Sequence, residues 1–329
     1  MNLLYSTLGF IGVYLYVSFA SLLWEGIDRK VVARMQRRMG PPILQPFYDF
    51  LKMVSKESVV PRDANKLFEL APVFALAAAI ALLAYTPLGF GPLFETKGDI
   101  ILFIYLLTLI GFIRVLGAAS SGSPYAQIGA QREMIILVSR EAPMMLGIFT
   151  IMWRIRDLGV SKPFSLHVLY EHNIWEIGTP MSIIGALILL FVFMAWLASE
   201  IETGFFDIPE AETELAEGTM AEYSGRHLAL LELANAIKAF VSASLVVAVF
   251  FPWGISGYLG LTGLPAMVAD LLFHTLKVFA VLFVSMSIFR ATSGRLRITQ
   301  ATNLFWTRLL PASIVGALLL VIDMLGVIS

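Results

Sequence analysis

The sequence contains no cysteine. Disulfides, iron–sulfur clusters, thiolate zinc sites and cysteine nucleophiles are therefore excluded for this chain. Histidine is scarce: His167, His172, His227 and His274 are scattered, and there is no HExxH pair, Walker lysine loop or strand-flanked GxGxxG. Charge is scarce too. Asp, Glu, Lys and Arg make up 14% of the 329 residues, where a soluble domain carries about a quarter. The net charge of −1 points to no charged partner, and no nucleic acid partner is expected. No metal or redox cofactor is expected in this chain itself.

What the sequence has in abundance is apolar length. It is 58% hydrophobic, with a mean hydropathy of +0.81, so lipid is the solvent for much of its surface. Runs of about 20 apolar residues predict eight membrane helices, near 3–24, 70–88, 100–119, 134–152, 180–199, 228–251, 266–288 and 309–327. The expected fold is all-α: one polytopic membrane domain over 1–329, with no repeat and no second domain. The first run, from Leu3, follows no basic segment and precedes no small-residue cleavage signal, so it reads as a retained helix. Gly254, Gly257, Gly260 and Gly263 read as a flexible turn.

The connections differ in charge. The odd-numbered ones hold fifteen basic residues, among them Arg29, Arg34, Arg37, Arg38, Arg132 and Arg295; the even ones hold four, Lys97, Arg154, Arg156 and Lys162. The positive-inside rule then puts the odd loops in the cytoplasm and both termini outside. The first connection, near 25–69, is amphipathic and is expected to form short interfacial helices.

Several ionisable residues fall inside the expected spans: Arg114, Arg140, Glu141, Glu232, Lys238, Asp270, His274, Lys277 and Asp323. A charge at mid-membrane costs about 2.5–3.5 kcal/mol, so such groups face the protein interior or water and pair. Asp270, His274 and Lys277 sit at i, i+4 and i+7 and share a helix face. Glu133 and Arg140 share another, with Glu141 about a quarter turn away, while Glu232 and Lys238 point in different directions. These residues read either as an ion relay or as structural pairing. Asp323 and Arg114 lie near helix ends and are expected to snorkel.

The fifth connection, 200–227, follows the uncharged run IIGALILLFVFMAWLAS. Between Phe205 and Gly225 it reads FFDIPEAETELAEGTMAEYSG and carries six carboxylates: Asp207, Glu210, Glu212, Glu214, Glu217 and Glu222. A solvated acidic loop is the plain reading. Interleaved Phe205, Phe206, Ile208, Leu215 and Met220 argue that part of it is buried, and Pro209 stiffens its start. Carboxylates crowded in a half-buried loop repel one another, so some are expected to hold protons near neutral pH. Such groups suit the coupling of chemistry to transport.

FDIPEAETELAEG followed by AEYSG resembles the signature loop of the NADH dehydrogenase subunit 1 family of respiratory complex I. DRKVVARMQRRMGPPILQPFYDFLKM, residues 28–53, is similar to that family's first loop, and VSREAPMMLG, residues 138–147, to its S-x-E-x-P helix. The resemblance spans nearly the whole chain. It implies a membrane anchor without a redox centre, set between an electron-transfer arm and antiporter-like membrane subunits. It implicates Glu200, Glu202, Asp207, Glu210, Glu212, Glu214, Glu217, Glu222 and, within the bilayer, Glu141 in a chain of carboxylates. Glu232, Lys238, Asp270, His274 and Lys277 are the candidates for its continuation. Arg29, Arg34, Arg37 and Arg38 would hold the interface with the hydrophilic arm.

Two departures narrow the expectation. Complex I members carry NRAPFD where this chain has ETGFFD, with Thr203 and Phe205 in place of the arginine and proline. They also carry an insert before the LQP segment, whereas here Gly40-Pro41-Pro42 runs almost directly into Leu44-Gln45-Pro46. The shorter form resembles the energy-converting membrane-bound [NiFe] hydrogenases and related ferredoxin-dependent complexes. That resemblance implies hydrogenase-like large and small subunits and an iron–sulfur subunit as partners, carrying a NiFe centre and iron–sulfur clusters, beside antiporter-like subunits in the lipid bilayer. The alternatives are a quinone-reducing complex I subunit, a sulfur-reducing relative, a stand-alone ion carrier and a purely structural anchor.

Overall fold

The computed structural model describes residues 3–89, 99–157, 164–171, 173–175 and 179–325. His172, Lys97 and Lys162 lie outside them, as do the side chains of Glu212 and Thr213. Nine long helices carry the architecture. They are α1 (Leu3–Met35), α2 (Gln45–Ser55), α3 (Lys66–Tyr85), α4 (Ile100–Ala119), α5 (Pro124–Asp157), α6 (Pro180–Glu200) and α7 (Gly225–Phe250), followed by α8 (Leu264–Thr292) and α9 (Ile298–Met324). All except α2 are long and apolar enough to cross a membrane, which makes eight candidate spans among the described residues. No strand occurs there beyond a single bridge between Asp99 and Ser165.

Local chemistry places the helix starts. The Asn65 side chain accepts from the Lys66 amide at 2.7 Å and opens α3. Asp99 accepts from the Leu102 amide at 2.8 Å and opens α4. Both satisfy amides that a helix start leaves without a partner. Pro180 stands in the first turn of α6, where a missing N–H costs nothing.

Two helices overrun their expected limits. α1 continues as helix to Met35 and α5 spans 34 residues, because amphipathic sequence can extend a helix beyond the apolar slab. The first connection is therefore partly a continuation of α1. It forms one short helix, α2, whose Phe47 and Phe50 pack on the core, while Tyr48, Leu51 and Val54 stay exposed. At the turn after α7, Ser256–Leu259 forms one helical turn, and Gly260 (φ +63°) and Gly263 (φ +69°) supply left-handed backbone.

α7 is the axis of the bundle. It packs against α1, α2, α3, α6 and α8, and 83% of its most apolar stretch is buried. In lipid, burying a leucine against a neighbour gains little over burying it in acyl chains, so packing and polar pins set helix orientation. Tyr16 Oη and Thr275 Oγ1 lie 2.7 Å apart across α1 and α8. Ser313 Oγ donates to the Pro143 carbonyl at 2.8 Å and joins α9 to α5. α8 and α9 each contain a π-helical stretch, Phe283–Ser287 and Leu304–Leu309.

The expectation that Asp323 and Arg114 snorkel is overturned. Asp323 pairs with Arg154 of α5 and accepts from Thr179. Arg114 is only 2% exposed. Both sit near helix ends, yet facing helices supply partners, and a paired charge inside avoids the cost of an isolated one.

Candidate functional site

The acidic loop is bound to the end of the bundle where the first connection also lies. Phe206 packs against Phe305 (centroids 5.4 Å apart) and Phe205 against Phe289 (5.5 Å). Ile208, Leu215 and Met220 are buried, as their interleaving with the carboxylates implied. Tyr223 stacks on Phe68 at 4.2 Å and donates to the Phe68 carbonyl; burial raises its pKa. Gly218 (φ +49°) lies so close to the Pro209 carbonyl that a Cβ would collide with it, and this close approach folds the loop back on itself. Glu202, Ala216 and Glu217 take positive φ without being glycine. Such backbone costs about 1–3 kcal/mol and persists only where the surroundings impose it.

At Glu202 the imposing surroundings are ionic. Just past the end of α6, the left-handed turn sends its side chain back into the bundle, where it pairs with Arg114 of α4 and lies 3.5 Å from Lys238 of α7. Lys238 is 3.2 Å from Glu200, Glu200 is 2.8 Å from Arg140, Arg140 is 3.4 Å from Glu133, and Glu133 is 3.2 Å from Arg114. The six side chains form a closed ring in which cation and carboxylate alternate. Each side chain is at most 4% exposed. Glu133 and Arg140 share a face of α5, as their spacing predicted.

Two further carboxylates adjoin the ring. Glu210 lies 3.3 Å from Arg114 and keeps 35% of its side chain accessible. Glu141 follows Arg140 on α5 and is buried, and neither of its oxygens has a hydrogen-bond partner among the described residues. Buried carboxylates are normally paired, so this one stands apart.

The accessible part of Glu210 opens on a cavity of about 440 Å³ between α1, the acidic loop, α7 and α8. Its wall carries Glu25, Arg29, Asp207, Glu217, Glu232 and Arg290 among others. Arg29 pairs with Glu25 and lies 3.2 Å from Asp49. Arg290 reaches the fully buried Asp28 at 2.8 Å. The cavity therefore offers both signs of charge. A groove of about 500 Å³ between α3 and α4 is lined only by apolar side chains such as Leu67, Phe74 and Leu109, and offers no group for chemistry.

The two loop carboxylates that touch Arg114 are pushed apart. Burial alone would raise Glu202, but Arg114, Lys238 and Arg140 outweigh it and hold the carboxyl at about 2. Burial lifts Glu210 to about 7; Arg114 opposes the rise, and Glu202, Asp207 and Glu133 add to it. The expectation that some loop carboxylates hold protons near neutral pH thus fits Glu210 and fails for Glu202. Glu214 is tied to Arg132 at 2.9 Å and Asp207 to Arg295 at 2.8 Å, both at the rim. Glu222 is half-buried, and the side chain of Glu212 lies outside the described residues.

Other candidates stand elsewhere. Asp270 accepts from the Ile255 and Ser256 amides and the Ser256 hydroxyl. Lys277 donates to the Phe251 and Trp253 carbonyls. His274 Nε2 lies 2.6 Å from Ser244 Oγ. All three hold the turn after α7. Ser244 is six residues, or about 9 Å of helix rise, beyond Lys238, so the three do not join the ring. Glu232 lines the cavity, one face away from Lys238. Arg34, Arg37 and Arg38 are exposed at the end of α1, whereas Arg29 turns into the cavity wall. Arg114, Arg140 and Glu133 were not among the expected site residues. Their occurrence inside apolar spans was the available signal. Among the described residues no three His, Asp or Glu side chains are grouped so as to hold a metal ion.

Membrane-length helices enclosing this buried charge make the chain a multi-pass membrane protein. It belongs to the NADH dehydrogenase family, whose model matches residues 8–321. It is 33% identical over 290 residues to Hydrogenase-4 component C of Escherichia coli, covering 86% of each chain. It is 31% identical over 303 residues to a membrane component of the NADH-quinone oxidoreductase of Brevibacillus brevis, covering 89% of this chain and 85% of that one. Its fold matches, with a TM-score of 0.83 and 28% identity, a chain of the membrane-bound sulfane sulfur reductase, an archaeal respiratory membrane complex, over 96% of this chain and 99% of that one. Its relatives are thus subunits of multi-subunit oxidoreductase complexes.

Proposed function

We propose that this chain is the membrane-anchor and coupling subunit of an ion-pumping, energy-converting complex of the membrane-bound hydrogenase type. It supplies no redox centre. A NiFe centre and iron–sulfur clusters reside in hydrogenase-like large and small subunits and an iron–sulfur partner, docked on the cytoplasmic end where the exposed Arg34, Arg37 and Arg38 and the acidic loop lie. Electron transfer there alters charge at the cavity. The carboxylates Glu210, Glu202 and Glu200 pass that change toward Glu141 and on to antiporter-like neighbours in the membrane. The observation that carries this reading is the neutral, buried ring with one carboxylate on the cavity side and an unpaired one, Glu141, within the bundle.

The hydrogenase assignment draws on the similarity to Hydrogenase-4 component C and on the short first loop with Thr203 and Phe205. A second reading, in a sulfur-reducing complex, is favoured by the structural match to the sulfane sulfur reductase. The native complex, purified and supplied with a reduced low-potential carrier, separates them. Hydrogen release supports the first and polysulfide reduction the second, while quinone reduction returns the chain to a complex I role. In the same complex Glu141→Gln keeps the side chain's size and removes its charge. Electron transfer is expected to persist while ion uptake into liposomes collapses, and unchanged pumping excludes Glu141 from the path.

A further inference from the structure

Arg114 differs from the other two cations of the ring. Arg140 and Lys238 contact only carboxylates that are sealed from solvent. Arg114 contacts two of these, Glu133 and Glu202, and in addition Glu210, which keeps a third of its side chain open. The ring without Glu210 is balanced, with three cations and three carboxylates, so the fourth carboxylate at Arg114 is in excess. A guanidinium presents its donors in a fixed planar fork and can hold two or more carboxylates at once, which an ammonium does poorly.

We propose that Arg114 is a positioning residue of the coupling path: it divides its guanidinium between the cavity carboxylate Glu210 and the ring carboxylates Glu133 and Glu202, so that a proton arriving on Glu210 from the cavity frees one of its nitrogens for the ring. The proton bonds to a carboxylate oxygen of Glu210 and leaves by the same route; no other covalent bond forms or breaks. The charged groups facing Glu210 across the cavity are Glu25, Arg29, Asp207, Glu217, Glu232 and Arg290, and those behind it are Arg114, Glu133 and Glu202. Glu210 bridges the two sets through its direct contact with Arg114. The ring thereby reads the protonation of the cavity wall without being opened to water. Neither Arg114 nor Glu133 belongs to the acidic loop, and both act through Glu202 and Glu210.

This inference rests on the coupling reading above, and the test separates the two. The intact complex is placed in liposomes, and ion uptake per electron is measured across pH on both sides of neutrality for wild type, Arg114→Lys and Glu210→Gln. Arg114→Lys keeps the charge and loses the fork. Its ions-per-electron ratio is expected to fall by about fivefold, the low end of a coupling interaction, and the midpoint of its pH profile to move upward as Glu210 loses its partner. Glu210→Gln is expected to abolish that midpoint. A purely structural role for Arg114 would lower the yield of assembled complex and leave ratio and midpoint in place; that result overturns the proposal. Should the Arg114→Lys complex fail to assemble, Glu210→Gln decides, and a wild-type midpoint there overturns it equally. A wild-type complex that transfers electrons and moves no ion overturns the coupling reading itself, and this proposal with it.

Discussion

The two ends of α7 both carry ionisable side chains inside apolar helices, and they use them differently. Near the turn after α7, each charge is closed on itself. Asp270 takes three donors from one turn, Lys277 caps two carbonyls, and His274 meets one serine. Near the acidic loop, Arg114 serves three carboxylates, Glu133 and Glu202 each serve two cations, and Glu141 accepts no hydrogen bond among the described residues. The first arrangement has one stable state and fastens a loop. The second has more carboxylates than cations and can redistribute its contacts. Spare partners, more than burial, distinguish a candidate relay from a pin.

The sharpest way to break this comparison is to delete one lysine from each end. Lys238→Met leaves Glu200 and Glu202 short of a cation in the interior, and removing one partner of a buried pair costs about 3–5 kcal/mol. Lys277→Met loses two hydrogen bonds at a half-exposed site and is expected to cost about 1–3 kcal/mol. Unfolding of the purified protein in detergent compares them. A greater loss at Lys277 would show that the pin, and not the ring, dominates stability. Lys238→Met combined with Glu200→Gln restores the balance of charge and should recover part of the loss.

A second comparison is set by pH. Glu202 is held at about 2, below its ordinary 4.5, so its contribution to stability is present above 4.5 and is lost as pH falls toward 2. Glu210 is raised to about 7, so its contribution is complete below 4.5 and is lost as pH rises through 7. Glu202→Gln should flatten the acid limb of a stability profile and Glu210→Gln the neutral limb. If both remove the same limb, the two groups do not titrate apart. The smallest effect is expected at the rim. Arg132→Gln breaks an exposed pair with Glu214 and should change stability by no more than about 0.5 kcal/mol.

Much of this was legible before any coordinate. Eight apolar runs became eight helices of membrane length, and the buried side of the acidic loop followed from Phe206, Ile208, Leu215 and Met220. The i, i+7 spacing placed Glu133 and Arg140 on one face. The same rule placed Asp270, His274 and Lys277 on one face without revealing that loop atoms occupy it. Arg114 was misplaced because distance from a helix end governs snorkelling only where no partner faces the side chain.

The amino-acid sequence alone determined the solvent of this protein, the number of its helices and the position of the acidic loop, because hydropathy and helical periodicity are properties of neighbours along the chain. Only the tertiary structure decided which charges meet. Arg114, Glu133, Arg140, Glu200, Glu202 and Lys238 come from four helices and one left-handed turn, and the ring closes because the packing of α4, α5, α6 and α7 brings them together. Spacing fixes the face on which a charge stands; the partner across from it is fixed by helix packing.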